Sequence, residues 1–216
     1  FWIKQQIYKW VNKKVAKKSS HIITISNFVK NDLIKFTGVN PEKITVTLES
    51  ADELPKGNEP VDELVGKKFI MYIGRPTPHK NLRRLIDAFA LLQKKYPDLT
   101  LALAGKKDSN YVRHETYVNE RGIKTVVFTG FISDEQLRWM YENTAVYCFP
   151  SLSEGFGLPG LEAMLHGAPV ASSTATCLPE THGNAAHYFD PFSVEDIAKS
   201  IDDILSDDKL RNELIK

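Results

Sequence analysis

Long apolar runs are missing from this chain: nowhere do hydrophobic residues continue for the roughly 18 positions that a membrane-spanning helix needs. Cysteine is scarce. Cys148 and Cys177 are the only two, too few for a disulfide framework, and a reducing cytoplasm is the expected compartment. Charge of one sign is missing as well. The 28 Lys and Arg are balanced by 27 Asp and Glu, a formal net charge of +1, so no global excess points to nucleic acid. No Asp-x-Asp occurs, and the six histidines show no His-x-x-x-His spacing, so metal ligation finds no support. The first residues are amphipathic with scattered lysines, which is not a signal peptide. Starting on Phe1 and ending in a helix-like stretch, the chain reads as a piece of a longer protein. What is present is a 216-residue chain with 42% hydrophobic residues, enough for one full α/β domain and part of another.

The opening "FWIKQQIYKWVNKKVAKKSS" places Ile3, Ile7, Trp10, Val11 and Val15 at helical spacing, with six lysines and no acid. A helix packed on a sheet with its lysines in solvent is favoured over a membrane-surface helix. "HIITIS" then predicts a strand, "FVKNDLIKF" a helix capped by Ser26 or Asn27 and stopped at Gly38, and "EKITVTL" a strand. Residues 1–52 lie on the amino-terminal side of a domain boundary. The acid- and proline-bearing stretch over 53–66 has linker composition. From residue 67 to 216, strands alternate with helices. The strands are "KKFIMYIG", "LTLALAG", "TVVFTG", "AVYCFPS", "APVASS" and "AAHYFD". Continuous apolar strands separated by amphipathic helices predict a Rossmann-like, doubly wound parallel sheet with helices on both faces. Ligands then bind at the carboxyl ends of the strands.

At that edge lies Gly155-Phe156-Gly157-Leu158-Pro159-Gly160, which fits the spacing G-x-G-x-x-G. Pro159 suits a first helical turn, and the glycines let backbone N–H groups approach an anion at the helix mouth. A dinucleotide fingerprint belongs in the first βα turn, however, and this loop follows the fourth strand of its domain. No acid closes the next strand, "APVASSTAT", to hold a ribose. Glu154 and Glu162 bracket the loop eight residues apart. A carboxylate beside a phosphate is repulsive unless it faces something neutral, such as vicinal hydroxyls. Two of them around an anion site suggest two polyol parts joined by phosphate, which describes a nucleotide sugar. Taken alone, the pair is better read as a dipole-favoured first-turn acid and a solvated loop acid. A second cluster weighs against that. After the first strand of the same domain comes "GRPTPHKN", where Gly74 ends the strand and Arg75 and Lys80 project toward the same edge. A forked guanidinium and a mobile ammonium are what a departing diphosphate needs.

Together these stretches resemble glycosyltransferase family 4, the retaining, nucleotide-sugar-dependent transferases of GT-B fold. The matching pieces are "GRPTPHKN", "FTGFISDEQL", "PSLSEGFGLPGLEAM" and, in register, "GAPVASS". The resemblance implies that Arg75 and Lys80 bind the donor diphosphate, Glu162 the ribose hydroxyls and Glu154 the hydroxyls of the donor sugar, with Gly74 leading into the cationic loop. It implies backbone contacts from Phe156, Gly157 and Leu158 to sugar and phosphate, and from Ile132 to the base edge. Asp134 either meets the base as well or serves only as an early helix residue. Residues 1–52 are similar to the end of the amino-terminal acceptor domain, and 67–216 to the carboxyl-terminal donor domain. The expected activity is transfer of a hexose, mannose or glucose or a relative, from a GDP- or UDP-linked donor to a glycan or lipid-linked acceptor. No metal or other cofactor is expected. The expected location is cytoplasmic, with the basic opening helix permitting peripheral association with the inner membrane face. The alternative is a nucleotide-sugar-binding module without transfer.

Overall fold

A computed structural model describes residues 2–57 and 59–215, and the chain divides into two compact units, Phe1–Ser50 and Ala51–Lys216. In the first, helix α1 (Trp2–Lys18) precedes strand β1 (Ile22–Thr24), helix α2 (Asn27–Thr37) and strand β2 (Ile44–Val46). The two strands pair in parallel. Ser26 is the cap of α2: its hydroxyl accepts from the Val29 N–H at 3.2 Å, and Gly38 closes the helix in the left-handed region at φ 68°. The apolar stripe of α1 behaves differently from its expected packing on a sheet. Ala16 is its buried residue, while Ile3, Ile7, Trp10 and Val15 are each more than half exposed.

The second unit holds six strands: β3 (Phe69–Ile73), β4 (Thr100–Ala104), β5 (Val126–Gly130), β6 (Val146–Phe149), β7 (Val170–Ser173) and β8 (Ala186–Phe189). All pair in parallel, in the order β5-β4-β3-β6-β7-β8. Helices α3 (Leu82–Leu92), α4 (Ser109–Glu120), α5 (Asp134–Asn143), α6 (Leu158–Leu165), α7 (Leu178–His182), α8 (Val194–Ser206) and α9 (Asp208–Leu214) connect and follow them. The alternation of side chains along β3 explains why its sequence is apolar throughout. Ile70 and Tyr72 join one core with Leu85 and Phe89 of α3, Val118 of α4 and Ile197 and Ile201 of α8. Phe69 and Met71 join the other, with Leu137 and Met140 of α5, Ala163 of α6 and Leu178 of α7. The stretch 53–66 falls within this second unit. Val61 precedes a short 3₁₀ turn and Leu64 ends it; they are 4% and 1% exposed, sealing the second core. Their side chains outweigh the polar composition around them.

Strand order places the site. From β3 the chain moves outward to β4 and β5, then returns to the other side of β3 with β6. The crevice at such a reversal opens between the carboxyl ends of β3 and β6, and there the loops on either side diverge. No helix among the described residues is long and apolar enough to cross a membrane.

Candidate active site

The loop after β3 is locked to the loop after β6 by backbone and by one buried side chain. Asn81 takes the left-handed conformation at φ 60°, which asparagine tolerates better than most residues. Its Nδ2 donates to the carbonyls of Pro150 at 3.0 Å and Pro191 at 2.8 Å. The Leu152 N–H donates to the His79 carbonyl at 2.7 Å. A 3₁₀ turn over Pro78–Lys80 carries Lys80 across this junction. Its Nζ donates to Glu154 Oε1 at 2.7 Å and lies 5.9 Å from the centre of the Phe149 ring. The two side chains are 20% and 13% exposed, so the pair is only partly screened by solvent.

Arg75 sits differently. It is 71% exposed, and its Nε donates to Asp108 Oδ2 at 3.0 Å. Asp108 also caps α4, accepting on Oδ1 from the N–H groups of Asn110 and Tyr111. The Arg75 guanidinium first, and the Tyr111 amide next, hold its carboxyl below the usual range. Gly74 is crowded by its neighbour: a methyl group there would lie 2.7 Å from the Tyr72 hydroxyl.

Across the crevice, Gly157 opens α6 at φ 102°, and no side chain caps that helix. The Glu154 N–H donates to Thr176 Oγ1 at 3.0 Å, and Thr181 Oγ1 donates to the Phe156 carbonyl at 2.7 Å. Both partners come from the segment after β7, which therefore shapes the glycine loop from behind. Burial pushes the neighbouring Cys177 thiol up to about 11. It stays a neutral donor to the Glu154 carbonyl at 3.3 Å. Glu162, one turn into α6, accepts at Oε2 from the Tyr141 hydroxyl of α5 at 3.3 Å.

Thus Lys80 meets Glu154 directly, while Phe156 and Gly157 lead into α6, Leu158 opens it and Glu162 stands one turn in, against Tyr141. Ile132 and Asp134 follow the edge strand β5, two strands from β3. Ser133 caps α5 in a reciprocal capping box with Gln136, and Asp134 is its exposed first residue. Four further residues shape the site without having been singled out from the sequence: Asp108, Tyr141, Thr176 and His182. Asp108 is the only one of these with a local signal, since Asp before Ser-Asn reads as a helix cap.

His182 is 3% exposed, and burial lowers its pKa, opposed by the Gly157 carbonyl and the Glu154 charge. A histidine held neutral in the folded state and charged when unfolded favours unfolding at low pH. Its contribution is present above about pH 6.5 and lost as pH falls through the lower folded-state value. The melting temperature of the chain is expected to drop below about pH 6.5 more steeply than that of His182→Leu. Identical slopes between pH 5 and 7 would exclude this coupling.

The arrangement defines a class first: a doubly wound α/β protein with the Lys80–Glu154 ion pair between the loops that follow β3 and β6, where the strand order reverses. The chain belongs to the family described as glycosyl transferases group 1, whose profile matches residues 58–216. Among similar proteins is the O-antigen chain mannosyltransferase B of Escherichia coli, 32% identical over 206 residues. That match covers 88% of this chain and 52% of the relative, so the chain spans about half the relative's length. Sucrose-phosphate synthase from Thermosynechococcus elongatus shares the fold at a TM-score of 0.83 and 25% identity, over 98% of this chain and 55% of the synthase. The Anabaena protein HepE, solved with UDP and glucose, aligns at a TM-score of 0.81 and 22% identity, over 97% of this chain and 60% of its own. The fold is of the GT-B type.

Proposed function

We propose that this chain holds the donor side of a retaining hexosyltransferase, which moves mannose or a related hexose from a nucleoside-diphosphate sugar to a glycan or lipid-linked acceptor. The observation that carries the reading is the Lys80–Glu154 pair, 2.7 Å apart at the mouth of the uncapped helix α6. An ammonium and a helix N-terminus converge where an anion would lie, and carboxylates stand on either side. In this reading Lys80 and Arg75 take the diphosphate, with Arg75 leaving Asp108 to do so. Glu154 turns to the sugar hydroxyls, Glu162 holds the ribose beside Tyr141, and Phe156, Gly157 and Leu158 contact sugar and phosphate through their backbone. Ile132 and Asp134 meet the base. The mannosyl assignment is supported by the E. coli relative, and the nucleotide donor by HepE, whose solved structure holds UDP. The retaining course follows the motif resemblance. With two cations at the diphosphate, no metal is invoked. Six lysines on α1 beside the exposed Trp10 support peripheral attachment to an anionic, cytoplasmic membrane face.

Calorimetric titration of the 216-residue chain with UDP and GDP tests this. Saturable binding of at least one is expected, at least about tenfold tighter than its nucleoside. Glu162→Ala is expected to erase the preference for ribose over 2′-deoxyribose in that ligand. If neither diphosphate binds saturably, the reading is wrong. Binding without transfer is the second reading. It is distinguished by assaying sugar transfer in protein extended to the length of its relatives.

A further inference from the structure

Beneath the glycine loop lies a buried histidine that the donor site does not itself use. His182, at the end of α7, has its ring 5.6 Å from that of Phe149, centre to centre. Its Nε2 lies 3.2 Å from the Gly157 carbonyl and its Nδ1 3.1 Å from the Ser172 hydroxyl. A carbonyl only accepts, so Nε2 carries the proton, and Nδ1 accepts from Ser172. Two glycines make room for the ring. A methyl group at Gly160 would fall on Nε2 and 2.5 Å from Cε1, and one at Gly157 would lie 3.2 Å from Nε2 and 2.6 Å from Leu178.

The Gly157 carbonyl also accepts from the Gly160 N–H at 3.0 Å. Two interior donors therefore fix the direction of one carbonyl at the mouth of α6. In a trans peptide the next N–H points the opposite way, and there are no cis bonds among the described residues. Gripping the Gly157 oxygen from inside therefore aims the Leu158 N–H away from the core. We infer that His182 is a positioning residue, which orients the Gly157–Leu158 peptide so that the Leu158 amide meets the donor phosphate. This inference rests on the donor-site reading above. It adds a requirement that reading does not contain: residues 157, 160 and 182 form one interlocked unit, and the histidine needs glycine at 160.

The test compares His182→Leu, which keeps bulk and loses the donor, with His182→Gln, which keeps a donor. In calorimetry the nucleoside diphosphate should bind His182→Leu about tenfold more weakly, while affinity for the nucleoside holds. His182→Gln should recover most of the loss. A purely structural role would weaken both ligands together, or neither, and that result overturns the proposal. Gly160→Ala should lower the melting temperature by several degrees, and adding His182→Ala should restore part of it. A double variant that melts no higher than Gly160→Ala removes the interlock. If the wild-type chain binds no nucleoside diphosphate, the donor reading fails by itself. Positioning is then judged on the Leu158 amide resonance. It should shift in His182→Leu and return toward its original place in His182→Gln, and an unmoved resonance refutes it.

Discussion

In protein extended to the length of its relatives, Lys80→Ala is expected to lower sugar transfer by about 10²- to 10³-fold, as loss of a charge partner for a departing diphosphate would. The magnitude follows from where the ammonium sits. At 20% exposure and 2.7 Å from Glu154, Lys80 acts through a medium much less screening than water, and the charge it would stabilise develops only as the bond breaks. Arg75 is 71% exposed and already paired to Asp108, so Arg75→Ala should cost nearer tenfold. The sequence alone gives no reason to rank the two. One alternative cause needs separating. Removing Lys80 leaves the Glu154 carboxylate half of a partly buried pair, destabilising the fold by about 1–2 kcal/mol. The double variant Lys80→Ala/Glu154→Gln discharges that carboxylate and should regain the melting temperature without regaining turnover. Turnover near wild type in Lys80→Ala, measured as kcat with saturating donor, refutes the role given to this side chain.

How far the site was legible depended on whether its information was local. Strands such as "LTLALAG" announce themselves because burial on both faces demands apolar residues throughout. Helices announce themselves through caps such as Ser26 and Ser133. Glu154, Glu162, Arg75 and Lys80 could be singled out because a helix mouth limits which residue types can serve an anion; the structure brings Lys80 to Glu154 but pairs Arg75 with Asp108. Contacts that depend on strand order were not readable. Asn81 reaches the Pro150 and Pro191 carbonyls only because β6 returns beside β3, and nothing near residue 81 encodes that neighbour. Tyr141 meets Glu162 because α5 and α6 cover the same face of the sheet. His182 carries no local signal, since its partners lie at residues 157 and 172. Composition misled in the other direction at 53–66, where two apolar residues, Val61 and Leu64, tie an acidic segment to the core.

Gly105→Ala should be the most damaging small substitution in the sheet. Gly105 follows β4 at φ 156°, and a methyl group there would collide with the Gly74 carbonyl oxygen and lie 3.1 Å from its carbon. The obstacle is backbone, so no rotamer change relieves it. The Gly74 N–H donates to the Ala104 carbonyl at 3.0 Å, and the Gly105 N–H to that of Gly130 at 2.9 Å. These two bonds tie the carboxyl ends of β3, β4 and β5 together. Making room means breaking at least one, about 1 kcal/mol, on top of about 1–3 kcal/mol for the strained conformation. A loss of about 3 kcal/mol corresponds to a fall in Tm on the order of 10 °C for a domain of this size. Gly122→Ala is the control. It has a positive φ of 64° but open space around it, so it should lose only about 1 kcal/mol. Equal Tm losses in the two variants would mean that the backbone angle alone matters and the collision does not. The collision also has a functional consequence that the control lacks. Gly74 leads directly into Arg75, so displacing its carbonyl shifts the loop that delivers both cations. In the folded fraction of Gly105→Ala, nucleoside diphosphate affinity should fall while that of Gly122→Ala stays unchanged, because the close approach of two glycines sets where the loop leaves the sheet.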